Sequence, residues 1–148
     1  MITDFAIYGG LFFNAFVAAT LLPAFSELSF AALLASGEGL PLLLFLSVTT
    51  GNILGAIVNY WLGLRLVKFE NRSWFPFKPK QIAVATNHFQ KYGKWSLLFA
   101  WAPIIGDPLT LIAGVLRTNI YVFLILVSIG KALRYAVIWA GYTAVVIN

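Results

Sequence analysis

The chain has no cysteine, a single histidine and only five acids in 148 residues. Without cysteine there is no disulfide, no thiol nucleophile and no thiolate ligand for a metal. One histidine, His88, cannot form the histidine pair of a zinc motif, and there is no G-x-S-x-G elbow, P-loop or Rossmann glycine signature. The expectation is a protein that is not an enzyme and needs neither cofactor nor metal. Charge is scarce as well, at 10% of residues against 61% hydrophobic and 16% aromatic, with a mean hydropathy of +0.89. A soluble domain of this size cannot bury that much apolar surface, so its solvent is largely lipid. Residues 1–148 read as one integral membrane domain.

The net charge of +5 is concentrated. Seven of the ten basic residues (Arg65, Lys68, Arg72, Lys78, Lys80, Lys91 and Lys94) fall in one central loop, opposed only by Glu70. That clustering is the positive-inside signature of a cytoplasmic loop and not a nucleic-acid surface. The loop's second half, around "FKPKQIAVATNHFQKYGKW", puts Ile82, Ala85 and Phe89 on one helical face, as an amphipathic helix at the membrane surface does. His88 is read there as an interfacial polar residue. The first residues, "MITDFAIYGG", carry an acid and no base, which argues against a cleavable leader.

Four apolar blocks remain, at about 5–36, 41–64, 95–116 and 120–147. The second and fourth are long enough to span a bilayer. The first is broken at Pro23, and the third at Pro103, Gly106 and Pro108. The first block, at about 32 residues, is too short for two spanning helices and a turn, and each arm of the third falls short of the ~30 Å hydrocarbon core. Each broken block is either a re-entrant hairpin or a kinked crossing; in both cases the break marks an internal site, because irregular backbone survives at membrane depth only when protein or water surrounds it.

The halves match at an offset of 80 residues. Pro23 and Glu27 lie over Pro103 and Asp107, and each broken block leads into a long helix. The expected fold is all-α: two opposed re-entrant hairpins and two long transmembrane helices arranged as an inverted repeat (about 5–64 and 95–147), joined by the amphipathic linker 65–94. In the 41–64 helix, Gly51, Gly55, Asn59 and Gly63 recur every four residues, a small-polar stripe that allows close helix packing. Asn14, Asn52 and Asn59 are candidates for buried hydrogen bonds.

Four ionisable residues sit deep in apolar sequence: Glu27, Asp107, Lys131 and Arg134. Unpaired, they would cost on the order of 10 kcal/mol. Two acids and two bases cancel, and Lys131 and Arg134 share a helix face. The functional reading is a polar cavity in which the bases hold an anionic headgroup and the acids respond to protons. Ser26 and Asp107 are expected to cap the second arm of each hairpin, with Pro108 at the first helical position.

Three runs, "LLPAFSELSFAALLASGE", "GNILGAIVNYWLG" and "HFQKYGKWSLLFAWAPIIGDPLTLIAGVLR", resemble the DedA superfamily, also known by its VTT or SNARE-associated domain, and in particular its short YqaA-like branch. The resemblance covers about Asn14 to Tyr142. It implies two re-entrant hairpins in the bacterial inner membrane and a role in moving or scrambling lipids, with undecaprenyl phosphate carriers among relatives and proton coupling. Glu27 matches the acid of the first hairpin motif. The second motif departs from the wider family: where arginines flank the proline by three residues, this chain has Ala100 and Gly106. The leading expectation is therefore an oligomeric flippase or scramblase for a lipid-linked anion. A non-transporting membrane scaffold and a small proton or ion carrier are the alternatives.

Overall fold

The computed structural model describes residues 2–20, 25–65, 78–102 and 105–147. These residues are helical almost throughout: α1 (Ile2–Thr20), α2 (Phe25–Ser36), α3 (Pro41–Arg65), α4 (Pro79–Tyr92), a 3-10 helix (Gly93–Trp101), α5 (Gly106–Val115) and α6 (Ile120–Ile147). Two of them, α3 and α6, are long and apolar enough to cross a membrane. Pro23 and Pro103 lie outside the described residues, as does 66–77 of the basic linker.

The chain divides into two units. Unit 1 comprises Met1–Gly55 with Lys131–Asn148, and unit 2 is Ala56–Gly130. Unit 1 holds α1 and α2, unit 2 holds α4, the 3-10 helix and α5, and each takes part of both long helices.

In unit 1, α1 and α2 pack on each other. The turn into α3 uses Gly37 and Gly39 at positive φ (71° and 89°), a conformation glycine adopts without a Cβ penalty. Pro41 then opens α3, where its missing N–H costs nothing. The turn is held to α1 by the Leu40 N–H, which donates to the Tyr8 hydroxyl at 2.9 Å. Further along α3, a methyl at Gly51 would run into the Phe12 carbonyl of α1, so the two backbones touch there. Leu11, Ala15, Phe30, Leu34, Leu44, Val48 and Tyr135 form this unit's core.

Unit 2 repeats the theme with other partners. The backbones of α3 and α5 meet at two glycines: a methyl on Gly63 would strike the Leu111 carbonyl, and one on Gly114 the Tyr60 carbonyl. The stripe read from the sequence therefore serves α1 with its first half and α5 with its second. Ala85 and Phe89 of α4 face into the unit 2 core with Leu97, Leu109, Ile112 and Phe123. Helix α5 ends on Arg117 in the left-handed region, with the Thr118 N–H donating back to the Ala113 carbonyl. Asn119 then caps α6, its side-chain oxygen accepting from the Tyr121 N–H at 2.9 Å.

One arm differs in kind from the sequence expectation. The segment before Pro103 is a 3-10 helix, which rises about 2.0 Å per residue, so its nine residues reach about 18 Å. The twelve residues of α2 reach about 18 Å and the ten of α5 about 15 Å. None of the three matches a bilayer's hydrocarbon thickness.

The outer face of α6 explains the apolar composition. Tyr121, Ile125, Ile129, Leu133 and Val137 follow a four-residue step and are all exposed, whereas Lys131 and Tyr135 are buried. Apolar outside and polar inside is the arrangement that lipid favours.

Candidate functional site

Helix α2 buries one narrow stripe, Ser26, Phe30 and Leu34, spaced by four residues as one helical face requires. Tyr135 of α6 faces that stripe. Its ring meets Phe30 edge-on at 5.7 Å, and its hydroxyl lies 2.9 Å from Ser26 Oγ with both residues fully buried. A tyrosine ring suits an apolar core, but its hydroxyl needs a partner there, and Ser26 is that partner. The sequence expectation of Ser26 as a helix cap fails on this point. Helix α2 begins one residue earlier, so Ser26 lies within it and points at α6.

The next residue of each helix completes a second rung. Glu27 follows Ser26, Arg134 precedes Tyr135, and the Glu27 carboxylate and Arg134 guanidinium form an ion pair. The arginine side chain is 8% exposed and the glutamate 22%, so the cation is sealed in while the anion retains access to its surroundings. Glu27 occupies the first turn of α2, where the helix dipole favours an acid. A charge inside a membrane span is costly when alone and tolerable when paired, which accounts for the two appearing together. Lys131, one turn before Arg134, is fully buried in the same unit.

Unit 1 also holds buried polar atoms without hydrogen-bond partners among the described residues. Asn52 Nδ2 donates to the Ala15 carbonyl at 3.3 Å, yet the side-chain oxygens of Asn52, Thr49 and Asn14 accept nothing from the protein. Buried oxygens of this kind suit water or a polar group. Thr49 and Tyr135 were not legible as site residues in the sequence. A hydroxyl-bearing ring in the middle of an apolar span was the available signal for Tyr135.

The second acid has a different setting. Asp107 is 4% exposed, and nearly all of its helix is walled in, with Gly106 through Gly114 buried. Its backbone carbonyl accepts from Thr110 Oγ1 at 2.6 Å, and that hydroxyl in turn accepts from Asn59 Nδ2 at 3.2 Å. Asn59 thus ties α3 to the first turns of α5. Asp107 is not the helix cap that the sequence suggested. The Gly106 N–H already donates to the Ala102 carbonyl at 2.9 Å, so the turn is closed before Asp107 and the acid and Pro108 both fall in the first turn.

Unit 2 also explains the missing arginines. Ala100 is fully buried, and a methyl on Gly106 would collide with the Ala100 carbonyl. Neither position has room for a guanidinium without opening the bend.

The chain matches the VTT domain over residues 5–143. It is 38% identical over 131 residues to the inner membrane protein YqaA of Escherichia coli, covering 88% of this chain and 87% of that one. A Haemophilus influenzae protein is 35% identical over 132 residues, covering 84% and 80%. Undecaprenyl phosphate transporter A of Staphylococcus aureus is 29% identical over 133 residues, covering 83% of this chain and 66% of the transporter. No solved structure matches the chain.

Proposed function

The chain belongs to the VTT domain (DedA) family of membrane proteins, and on that premise we propose that it moves a lipid-linked anion across the inner membrane as a flippase or scramblase. The observation that carries this reading is the Glu27–Arg134 pair on a short helix facing a membrane span. A buried guanidinium is a suitable holder for a phosphate, since it presents several donors in a fixed fork. Glu27 occupies Arg134 when no substrate is bound. Protonating Glu27, or presenting a phosphate in its place, exchanges one anion for another and leaves the buried cation matched throughout. Proton coupling follows from that competition. Lys131 supplies further positive charge in the same unit, and Asp107 is the corresponding acid of the second repeat. The substrate class is a polyprenyl phosphate or a phospholipid, and the transporter name of the Staphylococcus aureus relative supports the first.

In this reading α1–α2 and the 3-10 helix with α5 are re-entrant hairpins of an inverted repeat, and the basic linker 65–94 is cytoplasmic. The short reach of α2, the 3-10 helix and α5 supports it. Cysteines introduced at Ser36 and Thr118 test the topology: hairpins require Ser36 to label from outside and Thr118 from the cytoplasm. Transport is tested in proteoliposomes across lipid headgroups, with and without a proton gradient. Glu27→Gln is expected to abolish the gradient dependence, and Arg134→Gln to lower the rate roughly tenfold, the effect of about 1.4 kcal/mol on the barrier. Wild-type rates and gradient response in both variants would remove the mechanism.

A further inference from the structure

Unit 2 carries a groove of about 570 Å³ along the second half of α3, lined by Ile57, Val58, Trp61, Leu62 and Arg65. These residues form one stripe at helical spacing, two turns long and about 12 Å from end to end. Four are apolar. The fifth, Arg65, closes the stripe with its guanidinium 4.5 Å from the centre of the Trp61 ring. No carboxylate pairs with Arg65 among the described residues.

We propose that this groove is a site for one resident anionic phospholipid, with an acyl chain along Ile57, Val58, Trp61 and Leu62 and the phosphate on Arg65. Three observations converge on that occupant. First, α3 has 25 residues and a length of about 37 Å, longer than a hydrocarbon core of about 30 Å, so its last turn emerges at headgroup level. Second, Trp61 is 54% exposed beside the cation, and a tryptophan with a basic neighbour marks the membrane interface. The same unit repeats that pairing once, with Lys94 Nζ 5.9 Å from the Trp95 ring, and adds a tyrosine counterpart, with Lys91 Nζ 5.2 Å from the Tyr92 ring. Third, the stripe needs a partner that is apolar for two turns and then negative. A phospholipid of that charge is both, whereas a second copy of a chain with net charge +5 brings further positive charge to Arg65. The site lies in unit 2, whereas Glu27 and Arg134 lie in unit 1, and it is independent of whether the protein transports anything.

Native mass spectrometry of the full chain in mild detergent, titrated with phosphatidylglycerol or phosphatidylcholine, tests the assignment. The wild type is expected to retain one phosphatidylglycerol about fivefold more readily than phosphatidylcholine, the preference one basic residue gives at an anionic surface. Arg65→Gln should erase that preference and Trp61→Ala should lower retention of both lipids. Glu27→Gln should leave the adduct intact, which separates this site from the transport reading. Arg65 and Trp61 are both exposed, so neither change removes a core contact, and circular dichroism verifies the helix content. Equal retention of the two lipids by the wild type, an undiminished preference in Arg65→Gln, or a dimer in place of the lipid adduct would overturn the proposal.

Discussion

Helices α2 and α5 carry the two acids that align at an offset of 80 residues, and the protein surrounds them in opposite ways. Helix α2 buries three positions in twelve and leaves Phe25 and Leu28 exposed. Helix α5 buries nine positions in ten. Glu27 consequently meets a cation while remaining 22% exposed, whereas Asp107 is almost fully enclosed in a helix whose first turns are tied to α3 through Thr110 and Asn59. Sequence correspondence does not carry equal roles with it. An acid that responds to substrate and protons needs access, and α2 provides it; α5 is built as a packed wedge. On this comparison Glu27, the more accessible acid, leads the proposed chemistry.

The sharpest way to break the comparison is to delete the same bulk from each helix. Leu109→Ala removes a fully buried side chain from α5, and such truncations cost about 2–5 kcal/mol. Leu28→Ala removes a side chain that is 69% exposed on α2 and should change stability by roughly 0.5 kcal/mol or less. Thermal unfolding in one detergent measures both, and similar losses would mean that α2 is as enclosed as α5. The next effect is smaller and concerns the glycines. Gly63→Ala forces apart α3 and α5 within unit 2 and is expected to cost about 1–3 kcal/mol, while Gly141→Ala, with open space around it, should stabilise α6 by up to about 1 kcal/mol through helix propensity.

Much of this arrangement was legible before the fold was known. The long apolar spans, the short α2 and α5 and the small-residue stripe all follow from local rules of length and spacing. The ionisable quartet was legible because a charge in an apolar run demands a reason. What escaped was partner choice. Helical spacing places Lys131 and Arg134 on one face, but only packing brings Glu27 to Arg134, and only packing reveals that Ser26 bonds Tyr135 and caps nothing. The 3-10 form of residues 93–101 escaped too, because the local composition of "GKWSLLFAW" favours a helix without dictating its pitch. The loss of the family arginines was visible as a departure, yet the close contact of Gly106 with the Ala100 carbonyl that accompanies it shows only in the fold.

The smallest effect probes how α2 keeps its register. Ser26–Tyr135 and Glu27–Arg134 are adjacent rungs between the same two helices, so a loosened first rung lets the second drift. Tyr135→Phe keeps the ring and its edge contact with Phe30 and removes only the hydroxyl. The expected loss is about 1 kcal/mol, somewhat more if Ser26 is left buried without a partner. Adding Ser26→Ala should recover part of it, since the orphaned hydroxyl is then gone, and a double-mutant cycle reads the coupling directly. If the rung also sets the position of Glu27, Tyr135→Phe will weaken the response to a proton gradient in proteoliposomes by more than its small stability cost accounts for. A gradient response identical to the wild type, at equal folded fraction, would confine Tyr135 to packing and leave the ion pair to hold its own register.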